Sequence, residues 1–168
     1  MCDWLLVQAI DDCGHDKAMK LKVKAFEAVD AMLGQLIRLL WQAEKEGLAQ
    51  FSICVTGDHS TPVEYGDHSY EPVPFTICHV KDIVKAKGGD DKVMATDLMP
   101  FNLPSAEAAK NADLSKDYGI NEAGSAKAVA GDSVTKFGEI AAARGCLGRF
   151  TGSEMLGVIK HYIAMNKC

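Results

Sequence analysis

The chain has 168 residues, enough for one domain that can bury about 70% of the surface its unfolded form exposes, so it needs no disulfide framework. Apolar residues make up 48% and charged residues 24%, which excludes a disordered tail, a collagen-like fibre and a bundle of membrane helices. With 18 basic and 23 acidic residues the formal net charge is −5 and no Lys/Arg cluster exists, which argues against a nucleic-acid partner but leaves small anionic substrates open.

Trp4 to Ile10 is an apolar run broken only by Gln8, and it reads as a strand buried on both faces, as in parallel sheets. It lacks a basic leader and is too short to span a bilayer. A strand starting this close to the first residue suggests part of something larger. Six cysteines at positions 2, 13, 54, 78, 146 and 168 form no C-x-x-C pair. They read as reduced thiols, with a cytoplasmic location expected.

The polar turn Asp11-Asp12-Cys13-Gly14-His15-Asp16 follows, with Asp12 and Asp16 expected to cap the next helix. Lys17 to Glu46 reads as an amphipathic helix with Leu21, Ala25, Val29, Leu33, Leu36 and Leu40 on its apolar stripe. Gly47 is its expected stop. Gly34 weakens the middle of that helix by roughly 1 kcal/mol relative to Ala, so packing is expected to hold it.

Phe51 to Thr56 is the next predicted strand and ends in Gly57-Asp58-His59-Ser60-Thr61-Pro62. Strand, helix, strand predicts a βαβ unit with parallel strands, hence an α/β fold with a mainly parallel sheet flanked by helices. Pro72 to Val80 gives a third strand. Residues 81–131 read as a long excursion with at most short helices, an expected insertion in a single domain covering 1–168. Ser133–Arg144, with Asp132 as N-cap, and Ser153–Met165 are the closing predicted helices.

Both polar loops follow predicted strands, where open α/β sheets bind ligands. Asp11, His15, Asp58, His59 and His68 would share one sheet edge. Mixed carboxylate and imidazole ligation suits Zn or Mn, and the two loops could hold one ion or two. Gly14 and Gly57 would free the backbone beside these ligands to adopt a positive φ. Taken singly, each His or Asp is ordinary turn chemistry; taken together they favour a metal site. His79 in a strand and His161 on a helix read as structural, Cys13 as a small buried thiol, and Met94 and Met99 as core.

Residues 56–63 with His68-Ser69-Tyr70-Glu71-Pro72-Val73-Pro74 closely resemble the C-terminal half of archaeal-type cofactor-independent phosphoglycerate mutases, of the alkaline-phosphatase superfamily. The turn Asp11 to Asp16 resembles the family's Asp-x-x-Gly-His element. Asp132-Ser133-Val134, Phe137-Gly138-Glu139 and Gly145 to Arg149 resemble its final segment. The resemblance covers roughly 3–80 and 132–165.

It implies two divalent ions, Mn or Zn, one held by Asp11, His15 and His68 and the other by Asp58 and His59. It further implies interconversion of 3-phosphoglycerate and 2-phosphoglycerate through a serine nucleophile. That serine, and one more Asp ligand, belong to the family's N-terminal half, so no catalytic residue is assigned here and the chain alone is expected to be inactive. Ser60 and Ser69 adjoin ligands without taking the nucleophile's place. The missing half, or a second copy of the chain, is the implied partner. The other readings are a phosphate or phosphonate ester hydrolase, and a non-catalytic metal-binding or partner module of the same fold.

Overall fold

A computed structural model describes residues 3–114, 134 and 136–165. Helix α1 (Ala9–His15) is followed by the long α2 (Met19–Lys45), then strands β1 (Ser52–Thr56) and β2 (Phe75–His79). Four short helices come next: α3 (Val80–Ala86), α4 (Asp90–Met94), α5 (Ala106–Lys110) and α6 (Glu139–Ala142). A 3₁₀ turn (Gly152–Glu154) leads into α7 (Met155–Met165). No helix among the described residues is long and apolar enough to cross a membrane.

The N-terminal strand is corrected. Residues 3–7 take no regular structure, Trp4, Leu5 and Leu6 are exposed, and Ala9 onward is helical. A short apolar run does not separate strand from helix by periodicity. Here the two acidic residues Asp11 and Asp12 suit a helix's first turn, and Gln8 Nε2 reaches Asp11 Oδ2 at 2.9 Å. Asp12 therefore lies in the first turn of α1 and Asp16 closes it, while α2 starts at Met19, preceded by Ala18, which offers no side-chain cap.

Helix α2 runs 27 residues, about 40 Å, and stops as its sequence predicts. Gly47 sits at φ 76°, Gly47 N donates to Glu44 O (3.0 Å) and Leu48 N to Ala43 O (3.1 Å), closing the last turn in a Schellman motif. The helix is the spine of the core. Ile37 packs with Val80 and Val84 of α3 and Val93 of α4, and Leu33, Leu40, Trp41, Phe51 and Ile53 surround them. Residues read as an excursion thus supply core side chains in α3 and α4. Trp41 Nε1 and Lys45 Nζ both donate to Asp90 Oδ1 (2.6 and 2.7 Å), and Arg38 reaches the Thr96 carbonyl, fastening α4 to α2.

The expected parallel βαβ unit is not formed among the described residues. The sheet is small and antiparallel, pairing Ser52 with His79, Cys54 with Ile77 and Thr56 with Phe75. Without a first strand there is no crossover to make, and β1 and β2 close a hairpin whose long connection, 57–74, carries the polar motif. A further bridge between Ser60 and Ser69 narrows that connection. Phe150 meets Phe75 edge-on at 5.1 Å and Tyr162 packs on His79 at 4.9 Å, setting the C-terminal segment against β2. Thr151 and Glu154 form a reciprocal capping box before α7. Asp132, Ser133 and residues 115–131 lie outside the described residues, and the described helical part of 133–144 is α6. Met99, expected in the core, is exposed.

Candidate metal centre

Asp11 and His15 stand one helical turn apart on α1, on the same face by the i, i+4 rule, rather than on a turn after a strand. The 57–74 connection lies against that face and delivers His59, Thr61 and His68. His15 Nε2 is 3.4 Å from Asp11 Oδ2 and 3.2 Å from His68 Nε2. His68 Nε2 is 3.9 Å from Asp11 Oδ1. Ligand atoms of Asp11, His15 and His68 all lie within 4.8 Å of one another. Donors 2.0–2.1 Å from a tetrahedral ion stand about 3.3–3.4 Å apart, so this trio has the spacing of a metal site.

The donor chemistry fits as well. His15 Nδ1 is 3.2 Å from the Gly66 carbonyl oxygen, which can only accept, so Nδ1 carries the proton. A neutral His15 then points its lone pair from Nε2 into the cluster, the usual second-contact arrangement of a ligating histidine. His59 stacks on His68 with ring centroids 3.7 Å apart, and its Nδ1 is 3.9 Å from Asp11 Oδ1. Asp58 lies on the outer rim, its Oδ2 3.6 Å from His59 Nε2. All five candidate residues are therefore neighbours, with Asp58 and His59 adjoining the trio.

Asp11 is 19% exposed, and its carboxyl is held below the usual value, first by the hydrogen bond from Thr61 Oγ1 (2.5 Å). The three imidazoles add to that shift, against the opposing pull of burial. Beneath it, Lys22 Nζ donates to the Thr61 carbonyl at 2.5 Å, and burial lowers the lysine's pKa. Cys13 is a buried thiol whose pKa burial raises.

Gly14 and Gly57 do not have positive φ, contrary to expectation. Gly57 has only ordinary contacts, whereas Gly14 matters for closeness, because a Cβ there would meet Thr61 O at 2.6 Å. Sequence reasoning assigned no role to Thr61 or Lys22. The signals were present in the Thr-Pro step of the motif and in a lysine on the apolar side of α2, but neither means anything until the loop meets α1. His79 bonds Ser52 Oγ through Nδ1 (2.8 Å) on β2, and His161 lies on α7; neither joins the cluster. Ser69 N donates to Ser60 O (2.9 Å), and Ser60 Oγ to Glu71 O (3.4 Å), so both serines hold the loop together.

A carboxylate and two imidazoles, brought together by a helix and a hairpin loop, form a donor set that suits a divalent ion, as in metal-dependent enzymes. Residues 4–105, which include all five candidate ligands, match the Metalloenzyme superfamily, and the chain belongs to it. It is 30% identical over 155 residues to a 2,3-bisphosphoglycerate-independent phosphoglycerate mutase of Methanopyrus kandleri, covering 90% of this chain and 24% of that protein. A relative of the same name from Methanococcus maripaludis is 32% identical over 120 residues (64% of this chain, 28% of the relative). One from Thermococcus gammatolerans is 43% identical over 67 residues (40% and 15%). The chain spans about a quarter of the length of the first two of these relatives. No solved structure matches it.

Proposed function

We propose that this chain is the metal-bearing, C-terminal portion of a cytoplasmic phosphoglycerate-mutase-like protein of alkaline-phosphatase-like α/β architecture. In this reading the assembled protein interconverts 3-phosphoglycerate and 2-phosphoglycerate. The observation that carries the reading is the convergence of Asp11, His15 and His68 inside residues 4–105, the stretch that matches the Metalloenzyme superfamily, in a chain 30% identical to a relative named as a mutase.

Asp11, His15 and His68 would hold one divalent ion, Mn or Zn, while Asp58 and His59 contribute to a second. Such ions neutralise phosphoryl oxygens and acidify a hydroxyl nucleophile when bound. The chain's own residues prepare for this: His15 is aimed by Gly66, Asp11 is kept ionised by Thr61, and the hairpin loop walls one side of the cluster. Ser60 and Ser69 are engaged within the loop, and the resemblance to the mutase family implies a serine nucleophile in the N-terminal half of the full-length protein.

The test is to load the purified 168-residue polypeptide with Mn²⁺ or Zn²⁺, measure bound metal by elemental analysis, and assay phosphoglycerate interconversion and aryl phosphate hydrolysis. Retained metal without turnover of either substrate is expected. Failure to retain metal overturns the reading, mutase turnover by this polypeptide overturns the division of labour, and aryl phosphate hydrolysis would favour a hydrolase.

A further inference from the structure

Thr61 is the buried polar side chain among the described residues, 6% exposed, and it stands between the two groups of candidate ligands. Its hydroxyl has a single proton. That proton goes to Asp11 Oδ1, 2.5 Å away, in the range for a hydroxyl donating to an ionised carboxylate, which can only accept. Thr61 Oγ1 also lies 3.2 Å from His59 Nδ1. With its proton committed, the oxygen can only accept there, so His59 Nδ1 must carry the ring proton. A neutral His59 then keeps its lone pair on Nε2, the atom 3.6 Å from Asp58 Oδ2. Two electron-pair donors at that separation are complementary to a cation between them.

The placement of Thr61 is itself fixed. Lys22 Nζ holds its carbonyl at 2.5 Å, and the missing Cβ of Gly14 leaves the space into which Thr61 fits. The hydroxyl is therefore pinned from the backbone side while its two polar contacts face the ligands. One oxygen atom thereby orders a chain from His59 Nδ1–H through Thr61 Oγ1–H to Asp11 Oδ1.

On the metal-binding reading above, we infer that Thr61 is a positioning residue coupling the two ligand groups. Its hydroxyl sets the orientation of Asp11 and the tautomer of His59, so that both groups present electron pairs to cations at once. Outer contacts of this kind typically change metal affinity 10–100-fold when removed. Because Asp11 belongs to one group and His59 to the other, loss of the hydroxyl weakens both.

Histidine ring ¹⁵N spectra of the metal-free chain, taken where the imidazoles are neutral, read the tautomer directly. His59 should carry its proton on Nδ1 in the wild type and lose that preference in Thr61→Val, which keeps the shape and removes the hydroxyl. Titration of the same samples with Mn²⁺ and with Zn²⁺ should show affinity falling about 10–100-fold in Thr61→Val. Thr61→Ser should retain both the tautomer and the affinity. A wild-type His59 protonated on Nε2, or a Thr61→Val chain that binds metal as tightly as the wild type, overturns the inference. Should Thr61→Val not fold, the wild-type tautomer and Thr61→Ser still decide. A wild type that takes up neither ion overturns the metal reading instead, and the His59 tautomer then judges the hydrogen-bond chain separately.

Discussion

Gly14 and Thr61 meet backbone to side chain where α1 meets the hairpin loop: a Cβ on Gly14 would stand 2.6 Å from Thr61 O, 2.8 Å from Thr61 Cγ2 and 2.8 Å from Lys22 Nζ. Real Cβ contacts do not come that close to backbone, so Gly14→Ala must push the loop away from α1. Overpacking of this kind costs about 1–3 kcal/mol, and here the displaced residues are those that bring His59 and His68 to Asp11. The expected outcome is a lower thermal midpoint together with weaker Mn²⁺ or Zn²⁺ binding. Unchanged metal affinity in Gly14→Ala would show that the close approach does not organise the ligands.

Gly34 gives the opposite expectation. It lies mid-helix in α2, yet a Cβ there would meet only Thr96 Cγ2 at 4.0 Å, an ordinary contact. An added methyl group therefore has room at this position. Gly34→Ala should stabilise the chain by about 1 kcal/mol, raising the thermal midpoint by about 2–4 °C in calorimetry. Metal affinity should stay the same, since Gly34 touches none of the candidate ligands.

Much of this arrangement was legible in the sequence because its signals are local. The period of α2, its glycine stop, the strands around Cys54 and Cys78, and the local pairs Asp11 with His15 and Asp58 with His59 all depend on short spacings, whereas the approach of His68 to Asp11 and His15 depends on how the loop folds. What was misread depends on distant partners. Trp4–Ile10 is apolar enough for a strand, but a strand exists only where another pairs with it, and the direction of β1 against β2 followed from that lost first strand. Thr61 and Lys22 belong to the site only because the loop folds back on α1, a contact between residues 39 positions apart that no motif spacing encodes.

The α2–α4 junction supplies a pH prediction away from the metal cluster. Lys45 and Trp41 both donate to Asp90, and these hydrogen bonds, the lysine's first, hold its carboxyl below the ordinary value of 3.8. A depressed folded-state pKa contributes stability that is fully present above the unfolded value and is lost as pH falls through the folded one. The junction should therefore loosen only on the acid side, below about pH 4. Trp41 fluorescence in a Trp4→Phe background reads it, since the chain has two tryptophans and Trp4 is exposed. Asp90→Asn keeps an acceptor for Trp41 but cannot titrate, so its fluorescence should lack that acid step. An identical step in Asp90→Asn would assign the transition to other carboxylates.

Removal of single ligands separates metal binding from folding. His68 is 53% exposed and sits on the loop, so His68→Ala should change metal-free stability by no more than about 0.5 kcal/mol, as surface substitutions do. A metal that binds only the folded chain adds about 2.7 kcal/mol of stability at a concentration 100 times its Kd. Wild-type chain should therefore melt higher with Mn²⁺ or Zn²⁺ than with chelator, and His68→Ala and His15→Ala should lose most of that increment. His161→Ala, on α7 and outside the cluster, serves as the control and should keep it. A metal-dependent increment that survives in His68→Ala but disappears in His161→Ala would place the ion away from Asp11, His15 and His68.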